Sequence, residues 1–208
     1  MKLYIADLHF FHENMNTIMD KRGFASVEEE TSYMIQKWNK KVCKGDIVYV
    51  LGDMFWGKDV QAINKVLHIL KGKICLIKGN HDKWLSEKGV DLGRFEKIES
   101  YAEVKEGQRT VVVCHYPIFC YNHQYLLDKN GNERGYMLYG HVHDTKDYEL
   151  VRRFKALTKN EVFDCHDENG NSFLRHIPCN MINTFCKFSD YEPLSLDEWI
   201  EKDREIRE

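Results

Sequence analysis

Five short apolar runs constrain this chain more than any other feature of its sequence. They fall at residues 3–6, 47–51, 74–77, 111–114 and 136–139. Each is rich in β-branched or aromatic residues and nearly unbroken, the pattern of a strand covered on both faces. Helical periodicity separates the first three. Ser26 and Glu29 form a capping box, and Met34, Ile35, Trp38 and Val42 follow at three- and four-residue spacing. Residues 60–70 repeat that spacing, and Gly72 ends it. Strands alternating with helices predict an α/β fold. The C-terminal third predicts a helix over 145–157 capped by Asp144, then strands at 161–165 and 172–177 around a polar hairpin loop. A charged last helix follows the capping box Ser195 and Glu198. No repeat and no Pro/Gly/Ser-rich linker interrupts the 208 residues, so one domain over 1–208 is expected.

Every run ends in a polar cluster. The clusters are Asp7-Leu-His9, Gly52-Asp53, Gly79-Asn80-His81-Asp82, His115-Tyr-Pro117 and Gly140-His141-Val-His143. Ligands of α/β sheets bind at the carboxyl ends of the strands. Carboxylate, amide and imidazole groups therefore gather at one edge. Two aspartates, one asparagine and four histidines make an oxygen and nitrogen donor set without thiolate. That set suits manganese, iron, zinc or nickel and is too nitrogen-rich for calcium. Asp-x-His alone is uninformative, since Asp164-Cys-His166 is a second copy. Gly-Asn-His-Asp is expected by chance roughly 0.003 times in such a chain, so its place after a strand is informative.

The composition excludes other classes. Seven cysteines, an odd number with no C-x-x-C pair, argue against a disulfide framework or a zinc knuckle. They are read as small core hydrophobes in a reducing compartment. The opening apolar run is too short for a signal peptide, and nothing approaches the roughly 20 apolar residues of a membrane helix. A cytoplasmic protein without a membrane partner is expected. A net charge of −3 gives no bulk attraction to nucleic acid. The basic cluster Arg152, Arg153 and Lys155 is read as a solvated helix face.

The five motifs, in this order, resemble the calcineurin-like metallophosphoesterase superfamily over residues 3–143. A small bacterial and phage group is similar through Asp7-x-His-Phe-x-His12-x-Asn14, Arg22-Gly-Phe24, Ser26-Val-Glu-Glu29, Trp38-Asn39 and the stretch 183–199 with Tyr191-Glu-Pro193. The resemblance implies a four-layer α-β-β-α sandwich of two mixed sheets flanked by helices, with residues 161–177 adding strands to the second sheet. It also implies two divalent transition metal ions, manganese foremost. Asp7, His9, Asp53 and His143 would hold the first. Asp53, Asn80, His115 and His141 would hold the second, with Asp53 bridging. A hydroxide between the metals would attack phosphorus, and His81 would assist the leaving group.

One departure is informative. The phosphoprotein phosphatase branch continues its second motif as Gly-Asp-x-x-Asp-Arg, whereas this chain reads Gly52-Asp53-Met-Phe-Trp56-Gly57. The aspartate that orients the catalytic histidine and the phosphate-binding arginine are both missing, which argues against a protein phosphatase. His12, Asn14, Arg22 and Arg134 are candidate replacements for the phosphate contact. The expected activity is phosphoester hydrolysis, a phosphodiester of nucleotide or nucleic-acid type being favoured. A phosphomonoester substrate, or a metal-bound binding module without turnover, is the alternative. Oligomeric state is not set by the sequence.

Overall fold

The structure is a computed structural model that describes residues 1–205. Its first sheet has the order β1 (Lys2–Ile5), β2 (Ile47–Val50), β3 (Lys73–Ile77), β4 (Phe95–Glu99). All its pairings are parallel. The second sheet contains β5 (Tyr101–Glu106), β6 (Arg109–Cys114), β7 (Gly135–Tyr139) and β10 (Met181–Asn183), in the order β10-β7-β6-β5. It is mixed, because β5 runs antiparallel to β6 while β6, β7 and β10 are parallel. The expected pair of sheets is present, with only the second one mixed.

Period-two alternation builds the layers. On β1, Leu3 and Ile5 face helices α1 (Val27–Lys41) and α2 (Val60–Ile69), packing against Met34, Trp38, Ile63 and Leu67. Tyr4 and Ala6 point the other way and meet Val111 and Val113 of β6 between the sheets. Val112 and Cys114 of β6 face outward onto Tyr148 and Val151 of helix α3 (Lys146–Asn160). These three apolar interlayers make the α-β-β-α sandwich. Helix α4 (Leu196–Glu205) closes the gap at the sheet edges with Leu196 and Trp199, whose indole donates to Tyr4 O at 2.9 Å.

Three features differ from the sequence reading. Residues 161–177 do not extend the second sheet; β8 (Phe163–His166) and β9 (Ser172–Arg175) form a separate two-stranded hairpin. The α3 cap is Thr145, not Asp144, because the extended Thr145 accepts from Asp147 N. Strands β4, β5 and β10 lack a long apolar run. The first two are edge strands with charged outward residues, and β10 has only three residues.

The carboxyl ends of β1, β2, β3, β6 and β7 reach one side of the sandwich. Ala6 N donates to Thr184 O at 2.8 Å and Cys186 N donates to Ala6 O at 3.0 Å. These bonds join the end of β1 to the chain leaving β10 and draw the strand ends of both sheets together. No helix among the described residues is long and apolar enough to cross a membrane.

Candidate metal centre

The loops at this edge are strained. Asp7, His9, Asp53, His141 and His143 all have φ between 44° and 70°. Such non-glycine residues cost about 1 kcal/mol or more each and persist only where surrounding contacts fix them. Asp7 N donates to Gly52 O at 3.1 Å and His9 N to Asp53 O at 2.9 Å. Asp82 ties the second and third motifs together. Its buried carboxylate accepts from Asp53 N (2.9 Å), Met54 N (2.9 Å), Gly79 N (2.8 Å) and Trp84 Nε1 (2.8 Å). Two glycines make room for the aspartates. A Cβ on Gly79 would lie 2.2 Å from Asp53 Oδ1, and one on Gly140 would lie 2.6 Å from Asp7 Oδ2.

This backbone aims the side chains inward. Asp53 Oδ1 accepts from His81 N at 2.8 Å. Its Oδ2 lies 3.6 Å from His9 Nε2 and 3.5 Å from His115 Nε2, between the two imidazoles. Asp7 Oδ1 is 3.7 Å from His143 Nε2. Two groups of donor atoms fall within 4.8 Å of one another: Asp7, His9 and His143, and Asp7, Asp53 and His115. Asn80 Oδ1 is 3.0 Å from His115 Nε2. The exposed His141 ring stacks edge-on against His115 at 5.0 Å, and His141 N donates to both Asp7 oxygens at 3.0 Å. Asn80 and His141 thus border the second group.

The donor chemistry fits a divalent cation. His9 is fully buried, and neither ring nitrogen meets a hydrogen-bond partner among the described residues. A buried polar group left so costs about 1–3 kcal/mol. His115 Nδ1 lies 2.9 Å from the carbonyl of Leu51, which only accepts, so the proton sits on Nδ1. Its Nε2 lone pair and the Asn80 side chain, 3.0 Å away, then face one another as two donors to one cation would. Burial and the neighbouring His143 and Arg22 hold His9 well below the ordinary histidine range. Burial and His115 likewise lower His141. Neutral imidazoles are the form that ligates metals.

The remaining expected residues divide. The His81 ring sits 5.6 Å from that of His9 and 5.1 Å from Trp56, half-buried at the mouth. His12 lies flat on Trp56 at 3.9 Å, and burial and His81 push it down to about 4. Asn14 is exposed before the helical turn Met15–Met19 and makes no capping bond. Arg22 has no donor left for a phosphate. Its five N–H groups go to Asp20 twice, Glu30 Oε1, Leu8 O and Asp7 O, so it braces the loop that carries Asp7. Arg134 precedes the amino end of β7, the opposite edge of the sheet, and bonds Gln108 O. Asp164 and His166 lie on the separate hairpin.

Sequence reasoning missed the clamp made by Asp82 and also missed Asp20, whose Oδ1 lies 2.8 Å from His143 Nδ1. Tyr116, whose ring meets His141 at 4.7 Å, was missed as well. Asp82 carried a signal, its place in Gly-Asn-His-Asp. Tyr116 carried the same signal, its place in His115-Tyr-Pro117, and Asp20 carried none.

Comparison with known proteins agrees with this geometry. The protein of unknown function from Aquifex aeolicus superposes with a TM-score of 0.61 at 22% identity, covering 97% of this chain and 98% of that one, which establishes a shared fold. An uncharacterized protein of Methanocaldococcus jannaschii is 41% identical over 85 residues, 40% of this chain. The chain spans 48% of the length of that curated relative. Residues 1–157, which carry all five motifs, match the calcineurin-like phosphoesterase superfamily domain. A match over most of the chain, on the residues that meet at the strand ends, makes the protein a member of the calcineurin-like phosphoesterase superfamily.

Proposed function

We propose that this protein hydrolyses phosphoesters with two divalent metal ions, and that its substrate is a phosphodiester of nucleotide or nucleic-acid type. Asp7, His9, Asp53 and His143 would hold one ion. Asp53, Asn80, His115 and His141 would hold the other, manganese being favoured for this oxygen and nitrogen set. When bound, such a pair supplies a hydroxide nucleophile at neutral pH and positive charge for the phosphoryl oxygens. The observation that carries the reading is the buried, unpartnered imidazole of His9 among converging carboxylates.

The chain's own residues supply the rest. The carboxylate of Asp53 is held by His81 N through Oδ1, so Oδ2 stays turned toward both imidazoles. The half-exposed His81 ring is placed to give a proton to the leaving oxygen. Burial and the Lys83 charge hold its pKa below the ordinary histidine value. Trp56 and His12 wall the mouth beside it and offer an aromatic surface to a base. Arg22 and Asn14 are assigned to support and to the rim respectively. The buried thiols Cys75, Cys114 and Cys186, none of them in a disulfide, favour the reducing cytoplasm.

The test is a panel of aryl phosphodiesters, aryl phosphomonoesters, nucleotides and nucleic acids, assayed with Mn²⁺ and with bound metal measured alongside. Turnover of diesters above monoesters is expected. Turnover of neither class by metal-loaded protein contradicts the enzyme reading, and a monoester preference contradicts the substrate class.

A further inference from the structure

The metal-facing histidines differ in what stands behind them. His115 Nδ1 donates to a neutral backbone carbonyl, that of Leu51. His143 Nδ1 instead meets the carboxylate of Asp20 at 2.8 Å. That carboxylate is at least as buried as the ring it faces, with 5% of the Asp20 side chain exposed against 10% for His143. Its other oxygen accepts from Arg22 Nε at 3.0 Å and Arg22 Nη2 at 2.9 Å. Arg22 in turn holds the carbonyls of Asp7 and Leu8. Phe185 stacks on the His143 ring at 4.7 Å, and Asn183 Nδ2 donates to His143 O at 2.8 Å. Phe185 thus holds the face of the ring and Asn183 its backbone, and Asp20 makes the ring's hydrogen bond that sets which nitrogen carries the proton.

We propose that Asp20 is a positioning residue for the metal centre, holding the proton of His143 on Nδ1 so that its Nε2 lone pair faces the ion shared with Asp7 and His9. A carboxylate behind a ligating imidazole fixes its tautomer and raises its basicity, and losing that partner weakens metal affinity about 10–100-fold. The network links two ligands in one unit, because Asp20 orients His143 while Arg22, charge-paired to Asp20, holds the backbone of Asp7. Asp20 is separated from His143 by 123 positions in sequence, and only the turn after Met15–Met19 brings it there. This inference rests on the reading of His143 as a metal ligand.

The test combines Asp20→Asn, Glu30→Gln and wild type. Glu30 accepts from Arg22 Nη1 at 2.7 Å and makes no hydrogen bond to His143, so it reports the cost of loosening Arg22 alone. Calorimetric Mn²⁺ titration of metal-stripped protein should show Asp20→Asn weakened about 10–100-fold in one binding step, with the other step and Glu30→Gln changed less than threefold. Long-range ¹H–¹⁵N spectra of metal-free wild type at pH 8 should show His143 as the Nδ1–H tautomer. That measurement needs no variant, so the test stands even if Asp20→Asn does not fold. An Nε2–H tautomer in the wild type overturns the proposal. Equal weakening in Asp20→Asn and Glu30→Gln does the same. A wild type that takes up no metal sinks the metal-centre reading itself, a result distinct from either.

Discussion

Gly79→Ala isolates how tightly the Asp53 carboxylate is fitted. Gly79 has no left-handed backbone, so alanine strains no dihedral, and the whole effect comes from the added methyl. That methyl would lie 2.2 Å from Asp53 Oδ1 and 2.6 Å from Asp53 N. Reaching ordinary van der Waals contact requires a shift of about 1 Å. Asp53 cannot make that shift and keep the 2.8 Å bond from His81 N. Overpacking costs about 1–3 kcal/mol and a hydrogen bond to a charged group about 1.5–3 kcal/mol. The sum, about 2.5–6 kcal/mol, lowers the Tm of a domain this size by about 5–24 °C. Metal sites tolerate about 0.2 Å in ligand distance, so metal affinity should collapse as well. The assays are thermal unfolding of metal-stripped protein and Mn²⁺ titration. Gly45→Ala, with nothing within 4 Å of its added carbon, is the control and should shift stability by less than about 0.5 kcal/mol. A Gly79→Ala protein that melts with wild type and binds metal equally well refutes the packing argument.

Three further outcomes are expected. Asp82→Asn places an amide against backbone N–H donors, loses two of four charge-assisted bonds and should cost about 3–5 kcal/mol in urea unfolding; a loss under 1 kcal/mol is inconsistent with the clamp. His9→Phe removes two unpartnered buried nitrogens, so the metal-free variant should melt no earlier than metal-free wild type while losing all stabilisation by Mn²⁺; a metal-dependent rise in its Tm contradicts the ligand assignment. Metal-free protein should lose stability as pH falls from 8 to 5.5. Burial lowers the folded pKa of His9, His12, His81 and His141, so below the unfolded value near 6.5 the unfolded chain binds more protons. His143 opposes this, since the Asp20 bond and the Asp7 charge outweigh its burial and raise it, and so do the buried carboxyls of Asp53, pushed up to about 6, and Glu30, but the four lowered histidines outnumber them. A urea midpoint that rises on acidification reverses the sign of the argument.

The sequence displayed β1, β2, β3, β6 and β7, because burial on both faces demands unbroken apolar runs, and β1 qualifies although it ends its sheet because Phe185 and Leu194 cover its edge. It hid β4 and β5, whose solvent-facing edges carry charge, and β10, whose three residues hold no period. The ligand set was legible because parallel strands deliver their following residues to one edge. Residues acting from behind the ligands were not. Asp20 reaches His143 through tertiary packing, and no local spacing encodes that approach. Arg22 misled in the opposite direction. An arginine near a phosphate-binding motif suggests substrate contact, but with Asp20 and Glu30 packed around it, every donor is consumed inside the fold.

The central claim is that the strand-end ligands form one dinuclear centre bridged by Asp53. Electron paramagnetic resonance during Mn²⁺ titration of the metal-stripped protein tests it most directly. The account predicts two ions per chain with a spin-coupled signal at saturation, and loss of that coupling in Asp53→Ala. Uptake of a single uncoupled ion, or a coupled signal that survives Asp53→Ala, contradicts it.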